Sequence, residues 1–292
     1  MKRKTVFTGA ATAMVTPFRD DLSVNTEKLE ELTAMQIEAG ISALVVCGTT
    51  GEASTLTDEE QTLAVKTVVC AARHRVPVIA GVASNCTAHA VQLARNAARA
   101  GADALLVLTP YYNKTSQRGI VEHIAQVARA VELPVIIYNV PSRTGLDVQP
   151  ETYLKLSVVP GISGIKEAGG NMTKITRTAA QLRGGLDLYS GSDELTLPIL
   201  SVGGLGVISV LSNLAPQTVI SLCDSYFAGD TARARAIQLE QSPLIDALFA
   251  EVNPIPIKYA MNYLGYNVGR CRLPLVELSH DKRFLLEILL KK

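Results

Sequence analysis

One lysine lies in an otherwise apolar and glycine-rich stretch, Gly161-Ile-Ser-Gly-Ile-Lys166-Glu-Ala-Gly-Gly170. The stretch has the composition of a buried strand, and burial disfavours the charged form of an amine. A buried lysine can therefore act as a nucleophile toward carbonyl compounds near neutral pH. The alternative is a strand-end lysine that extends to solvent beside Glu167. The identity of the residues that the fold brings near Lys166 distinguishes between these interpretations.

The loop Gly48-Thr49-Thr50-Gly51-Glu52 supplies donors for an anion. Its glycines let backbone N–H groups approach a ligand, and its threonines add hydroxyl donors. Such a loop suits a small carboxylate. The same residues also suit a tight turn in which the threonines bond only to the local backbone.

Three tyrosines and one arginine follow two other apolar runs, Tyr111 and Tyr112 after one, Tyr138 and Arg143 at the end of the next. Phenols can transfer protons, and a guanidinium group can bind a carboxylate with two parallel hydrogen bonds. Each side chain taken alone is more typical of packing or of a solvated loop. Their joint placement beside Lys166 favours a catalytic site.

Gly191 and Ile208 lie at the ends of two later runs. Their main-chain groups could contact a ligand, or the two residues could only provide tight packing, and spacing does not separate these alternatives. Gly169-Gly170-Asn171, which precedes a helix, is a candidate phosphate site. It follows the sixth strand, however, whereas barrels usually bind phosphate with the loops after strands seven and eight.

Eight short apolar or β-branched runs recur along the first two thirds of the chain, separated by amphipathic segments of helical length. The runs are residues 8–15, 43–47, 76–82, 104–108, 134–138, 162–165, 188–190 and 207–210. Continuous apolar strands between helices indicate parallel strands buried on both faces, and eight such units predict an α/β fold, a closed (β/α)8 TIM barrel. A doubly wound dinucleotide-binding sheet is the competitor, but Gly9-Ala-Ala-Thr-Ala lacks its glycine fingerprint.

Helical patterns without further strands follow the eighth run. We therefore predict a catalytic barrel over residues 1–224 and a C-terminal helical extension over residues 225–292. The apolar stripes of the extension need a partner, either the barrel or another subunit.

Composition and charge limit the class of protein. The 292 residues are 48% hydrophobic and 19% charged, with 28 basic and 27 acidic side chains and a net charge of +1. This balance argues against nucleic-acid binding and against a membrane-surface patch. The long uncharged segment 195–223 is interrupted by Pro, Gly and Asn, so we interpret it as buried helix, strand and helix and not as a membrane span.

Five widely spaced cysteines and four histidines form no metal-binding pattern. The cysteines are typical of reduced side chains in a cytoplasmic protein. A buried lysine facing phenols, an anion-binding loop and an arginine, with no metal or nucleotide motif, fits imine chemistry on a carbonyl acid.

At these residues the sequence resembles the dihydrodipicolinate synthase and N-acetylneuraminate lyase family of pyruvate-dependent class I aldolase-like barrels. The matching motifs are Gly48-Thr-Thr-Gly-Glu52, Pro110-Tyr-Tyr-Asn-Lys114, Tyr138-Asn-Val-Pro-Ser-Arg-Thr-Gly145, Gly164-Ile-Lys-Glu-Ala168, Gly191-Ser-Asp193 and Asn253-Pro-Ile-Pro-Ile-Lys258. The resemblance covers essentially the whole chain. The motif Tyr111-Tyr-Asn-Lys-Thr115 and Arg143 resemble the synthase branch, whereas the sugar-acid aldolase branches generally lack this arginine.

The resemblance implies that Lys166 forms a Schiff base with pyruvate, whose carboxylate is held by the loop of Thr49 and Thr50. It implies that Tyr138 is the general acid and base, in a proton relay with Thr49 and Tyr112. Tyr112 would reach across a dimer interface, and the expected assembly is a homo-oligomer, a dimer of dimers.

The second substrate implied is L-aspartate 4-semialdehyde, with its carboxylate on Arg143 and with Gly191 and Ile208 near the imine. The product would be 4-hydroxy-tetrahydrodipicolinate, in cytoplasmic lysine and diaminopimelate biosynthesis, with no cofactor beyond the covalent imine on Lys166. The rivals are another pyruvate aldolase, acting on a keto-deoxy sugar acid, and a barrel retained for binding without turnover.

This sequence differs from the family pattern at the site where lysine inhibits some family members. Asn85 and Tyr111 fit that site, but Asp58, Gln61 and His89 occupy positions where His, His and Glu are expected. Without the acid that pairs with the ligand ammonium, we expect weak or absent inhibition by lysine.

Overall fold

A closed barrel of eight parallel strands, paired in chain order, forms the centre of the molecule in the computed structural model, which describes residues 5–291. The strands are β1 (Gly9–Ala13), β2 (Ala43–Val46), β3 (Val78–Val82), β4 (Ala104–Leu108), β5 (Val135–Asn139), β6 (Ile162–Glu167), β7 (Asp187–Ser190) and β8 (Gly206–Ser209). The predicted fold class is therefore confirmed. The predicted strand bounds differ from the observed ones by up to two residues at several strands. The difference matters at β6, which reaches Glu167 and not Ile165, so Lys166 lies within the ladder between Tyr138 of β5 and Tyr189 of β7.

Twelve α-helices surround and extend the barrel within the described residues. They are α1 (Thr26–Glu38), α2 (Asp58–Ala72), α3 (Thr87–Arg99), α4 (Gln117–Arg129), α5 (Pro141–Thr144), α6 (Pro150–Leu156), α7 (Met172–Leu182), α8 (Thr196–Ser201), α9 (Pro216–Phe227), α10 (Thr231–Leu248), α11 (Ile255–Tyr263) and α12 (His280–Leu290).

Local sequence signals set where several helices begin. Asn25 caps α1 by accepting a hydrogen bond from the Lys28 N–H at 3.0 Å. Thr57 and Glu60 form a reciprocal capping box at the start of α2, with bonds of 3.2 and 3.0 Å. These caps satisfy backbone donors that have no partner within the helix.

Side chains of successive strand residues alternate between two apolar layers. One buried cluster fills the barrel interior and includes Ala11, Ile79, Leu106 and Ile136, and the other lies between strands and helices. Both faces of each strand are thus buried, which explains the continuous apolar runs in the sequence.

Barrel closure requires a glycine at the start of β8. Gly206 pairs with Gly9 of β1, and a Cβ atom at Gly206 would lie only 1.9 Å from the Gly9 carbonyl oxygen. A larger residue would therefore force the first and last strands apart.

The C-terminal helices pack on the barrel. The Lys258 Nζ of α11 lies 2.8 Å from the Glu52 Oε1 in the loop after β2, and both side chains are almost fully buried. Arg272 reaches the same region by bonding to Glu60 of α2. The predicted boundary between residues 224 and 225 falls inside α9, and the division into barrel and extension stays a prediction.

The uncharged segment 195–223 contains α8, β8 and most of α9, as interpreted from the sequence. Among residues 5–291, no helix combines the length and the apolar character needed to cross a membrane.

The buried pair of Lys258 and Glu52 predicts a large effect of Lys258→Met on stability. Burial lowers the pKa of Lys258, while the Glu52 carboxylate opposes this shift. Loss of the ammonium leaves a buried carboxylate unpaired, which costs about 3–5 kcal/mol and should lower the Tm by at least about 6 °C.

The Tm is measured by circular dichroism for Lys258→Met, for the double variant E52Q/K258M and for Lys282→Met as a control. Lys282 pairs with Asp281 at the surface, so its loss should change the Tm little. The double variant should recover part of the loss. A Lys258→Met protein that melts with the wild type would contradict the inferred contribution of the pair.

Candidate active site

Lys166 and Tyr138 face each other inside the barrel. They are neighbours in the ladder between β5 and β6, and the Lys166 Nζ lies 4.2 Å from the centroid of the Tyr138 ring. Lys166 is 6% exposed and Tyr138 is 7% exposed. The alternative of a solvated strand-end lysine is therefore wrong.

The surroundings of Lys166 differ from those of two other buried lysines. Lys174 pairs with Asp147 and Glu167, and Lys258 pairs with Glu52. Of the ion pairs formed within residues 5–291, none includes Lys166. Its amine is thus buried without a direct ion-pair partner among these residues. Burial raises the pKa of the nearby Asp193 carboxyl, and the charge of Lys166 opposes that shift.

Glu167 points to the opposite side of β6, as strand geometry requires. Its carboxylate accepts hydrogen bonds from Asn139 Nδ2 at 3.0 Å, from the Tyr153 hydroxyl at 3.1 Å and from the Gly169 N–H at 2.7 Å. Burial raises the pKa of Glu167, and the nearby Lys174 opposes that shift. This network fixes β6 against β5, α6 and α7, and so fixes the position of Lys166.

The same contacts bear on the candidate phosphate site. The Gly169 N–H is already bonded to Glu167, and the Asn171 side chain caps α7 by accepting from the Lys174 N–H at 3.0 Å. The N–H groups of Gly169 and Lys174 therefore bond within the protein itself, which disfavours phosphate binding there.

A cavity of about 280 Å³ opens at the carboxyl ends of the strands. Its wall includes four of the residues singled out from the sequence, Thr49, Tyr111, Tyr138 and Arg143. Active sites of (β/α)8 barrels lie at this end of the strands. The cavity therefore collects residues from the loops after β2, β4 and β5.

Thr50 and Arg143 meet at a residue to which the sequence analysis gave no role. The Thr50 hydroxyl accepts a hydrogen bond from Asn253 Nδ2 at 3.0 Å, and an Arg143 Nη donates to the Asn253 carbonyl at 3.0 Å. Asn253 begins the motif that ends at Lys258. That motif was the available signal, but its contacts with Thr50 and Arg143 span 203 and 110 positions of the chain and cannot be read from spacing.

Gly191 lies directly beside Lys166. A Cβ atom at Gly191 would lie 3.0 Å from the Lys166 Cγ, so a larger residue would crowd the lysine. Ile208 is buried in the interior cluster. Asp193 joins the two neighbouring loops by accepting from the Val210 and Leu211 N–H groups at 2.9 and 3.1 Å. Roles for the main-chain groups of Gly191 and Ile208 stay predictions.

Tyr112 points away from the cavity of its own chain. It is 90% exposed and has a φ of +63°, a conformation that is rare for a large side chain. An exposed tyrosine in this backbone conformation costs free energy and gains no packing within the chain.

The region of the expected inhibitor site contains a histidine and carboxylate pair. His89 Nε2 lies 3.0 Å from Asp58 Oδ1, and His89 Nδ1 lies 3.1 Å from the Ser84 hydroxyl. Gln61 donates to the carbonyls of Ala53 and Leu56. The acid that is missing at position 89 thus has a counterpart at position 58, where it is bonded to His89.

Within residues 5–291, no three His, Cys, Asp or Glu side chains converge as they would around a metal ion. The five cysteines are free thiols, and burial raises the pKa of the Cys47 and Cys223 thiols to about 12.

The fold and the site define a (β/α)8 barrel with a buried lysine on β6 beside a tyrosine on β5. A family model described as the dihydrodipicolinate synthetase family matches residues 6–292. The chain belongs to this family.

Known relatives are similar to this chain over nearly its full length. The chain is 51% identical to a 4-hydroxy-tetrahydrodipicolinate synthase of Thermoanaerobacter sp. (strain X514), over 98% of this chain and 97% of the relative. It is similar to the chloride-inhibited dihydrodipicolinate synthase from Acinetobacter baumannii complexed with pyruvate, with a TM-score of 0.95, 40% identity and 98% of both chains covered. It is also similar to the Cyanidioschyzon merolae enzyme with lysine bound, with a TM-score of 0.94, 38% identity and 98% and 97% of the two chains covered.

The pairing of Asp58 with His89 predicts that sub-millimolar L-lysine does not inhibit this protein. The Asp58 carboxylate is bonded to an imidazole, and position 89 offers no acid to pair with a ligand ammonium. Turnover is measured over a lysine titration for the wild type, for the triple variant D58H/Q61H/H89E and for the single variant Glu59→His as a control on the same helix.

We expect inhibition only in the triple variant. Inhibition of the wild type at sub-millimolar lysine would contradict the role given to the Asp58 and His89 pair.

Proposed function

We propose that this protein condenses pyruvate with L-aspartate 4-semialdehyde through a Schiff base on Lys166, giving 4-hydroxy-tetrahydrodipicolinate for lysine and diaminopimelate biosynthesis. Its membership of the family and its similarity to 4-hydroxy-tetrahydrodipicolinate synthases over nearly the whole chain support this activity. The observation that carries the proposal is the buried Lys166 amine, which lies against Tyr138 and has no ion-pair partner among residues 5–291.

Imine formation is the first half of the reaction. The Lys166 amine attacks the keto carbon of pyruvate, and Tyr138 donates a proton as the hydroxyl of the carbinolamine leaves as water. The hydroxyls of Thr49 and Thr50 hold the pyruvate carboxylate. The protonated imine withdraws electrons, so a methyl proton is lost and an enamine forms.

Carbon–carbon bond formation is the second half. The enamine carbon attacks the aldehyde of L-aspartate 4-semialdehyde, whose carboxylate is bound by Arg143, and the aldehyde oxygen takes a proton. The substrate amine then attacks the imine carbon and displaces Lys166, which closes the ring. Gly191 leaves room beside Lys166 for these intermediates. In this proposal, main-chain groups of Gly191 and Ile208 contact the region of the imine.

Tyr112 completes the proton relay from a second subunit. Its 90% exposure and positive φ support this assignment, because an interface would supply the packing that the single chain lacks. The functional assembly in this proposal is a homo-oligomer, a dimer of dimers, and a separated monomer is impaired.

The reaction needs no metal and no cofactor in this proposal, because the imine on Lys166 itself provides the electron sink. The free thiols support a reducing compartment, and we place the protein in the cytoplasm.

Borohydride reduction tests the imine. Reduction of the wild type in the presence of pyruvate should fix a pyruvate-derived adduct on Lys166, because hydride converts the imine to a stable amine. Peptide mass mapping identifies the modified lysine. Lys174 and Lys258 are internal controls, since both are buried but are held by carboxylates.

The variant Lys166→Met should give no adduct and no turnover. An adduct on Lys174 or Lys258 and not on Lys166, or no adduct at all in the wild type, would overturn the proposed mechanism.

Replacement of Arg143 distinguishes this activity from a sugar-acid aldolase. Arg143→Ala should lower kcat/KM for L-aspartate 4-semialdehyde by about 100-fold, because a bidentate charged contact to the substrate carboxylate is lost. Trapping of pyruvate on Lys166 should persist. Arg143→Lys is the conservative control and should also lose activity, since an ammonium cannot form the bidentate contact.

Cleavage of a keto-deoxy sugar acid that survives Arg143→Ala, with no turnover of the semialdehyde by the wild type, would favour the rival function.

A further inference from the structure

One residue of the C-terminal extension contacts both substrate-binding groups. The side chain of Asn253 donates to the Thr50 hydroxyl at 3.0 Å, and its carbonyl accepts from an Arg143 Nη at 3.0 Å. Thr50 and Asn253 are 203 positions apart in the chain and are both buried. In the proposed reaction, the two side chains that contact Asn253 bind different substrates: Thr50 binds the carboxylate of pyruvate, and Arg143 binds the carboxylate of L-aspartate 4-semialdehyde.

The direction of the bond to Thr50 has a chemical consequence. A hydroxyl has one proton to donate and two lone pairs to accept with. Because Asn253 is the donor in this bond, it occupies a lone pair of Thr50 and leaves the hydroxyl proton available. That proton is what a pyruvate carboxylate requires.

A second set of contacts joins the extension to the loop of Thr50. Lys258 pairs with Glu52, which lies two residues after Thr50 in the same loop. Arg272 adds a bond from its backbone N–H to the Glu52 carboxylate at 2.9 Å. The loop of Thr50 is therefore attached to the extension at two points and cannot move independently of it.

Asn253 also carries an unpaired polar atom. Its Oδ1 is buried and has no hydrogen-bond partner among the described residues. A buried acceptor without a partner costs free energy, so stability alone does not favour an asparagine here. A requirement for the Nδ2 donor, which bonds to the Thr50 hydroxyl, explains why an asparagine is present in spite of this cost.

We propose that Asn253 is a positioning residue of the reaction: its amide orients the Thr50 hydroxyl toward the pyruvate carboxylate, and its carbonyl orients Arg143 toward the second substrate. This inference rests on the proposed function. It makes the C-terminal extension part of the active site and assigns a different atom of Asn253 to each substrate.

The isosteric variant Asn253→Asp separates the two roles. It replaces the amide donor by an acceptor, so the Thr50 hydroxyl turns its proton toward the new carboxylate, while the main-chain carbonyl that binds Arg143 remains. The half-saturating pyruvate concentration in borohydride trapping should rise about tenfold. The KM for L-aspartate 4-semialdehyde should stay unchanged.

Two further variants serve as partner and control. Thr50→Val removes the hydroxyl and should show the same loss of pyruvate affinity, with no additional loss in the double variant T50V/N253D. Asn262→Asp changes another asparagine of the extension, whose Nδ2 donates to the Gly269 carbonyl within the extension, and should leave both substrates unaffected.

The outcomes distinguish the inference from the proposed function. Unchanged pyruvate affinity in Asn253→Asp, or losses that add fully in the double variant, would overturn the positioning role while wild-type trapping still succeeds. A parallel loss in Asn262→Asp would also overturn it, by showing a general effect of the extension. Failure of trapping in the wild type would overturn the proposed function itself.

Discussion

The alternation of side chains along β6 is the constraint on which the site depends. Lys166 and Glu167 are consecutive and both buried, and a strand must direct them to opposite faces. Glu167 finds its donors outside the barrel, in Asn139, Tyr153 and Gly169. Lys166 is left inside, where no carboxylate pairs with it among the described residues. A shift of one residue in the register would place the carboxylate on the inner face of the barrel, beside Tyr138, and the amine among the helices.

In the loop after β2, neighbouring side chains likewise point to different surroundings. Thr49 lines the cavity, Thr50 is oriented by Asn253, and Glu52 turns toward Lys258 of the extension. The loop is thus held from behind by a buried ion pair while its hydroxyls remain near the site. Because a buried pair tolerates little displacement without leaving a charge unpaired, it fixes the loop more firmly than a surface contact could.

Asp58 and His89, which both differ from the residues expected from the family resemblance, are best considered together. Considered one by one, each position departs from an expected residue. In the structure, the Asp58 carboxylate on α2 and the His89 imidazole on α3 bond to each other. The Asp58 carboxylate is therefore engaged within the protein.

The sequence by itself determined the eight strands and the chemical groups at the strand ends. These features depend on local causes, namely apolar periodicity and the identity of motif side chains. Even there, the end of β6 was predicted two residues short, because a charged residue in a run argues against a strand until its burial is known.

Only the tertiary structure decided which buried lysine forms no ion pair within the described part of the chain and which residue of the extension contacts Thr50 and Arg143. Lys174 and Lys258 acquire carboxylate partners through folding, and Lys258 does so across 206 positions of the chain. Asn253 reaches Thr50 and Arg143 in the same way. Charge pairing and hydrogen bonding act over a few ångströms in space, and separation along the sequence does not determine which groups come that close.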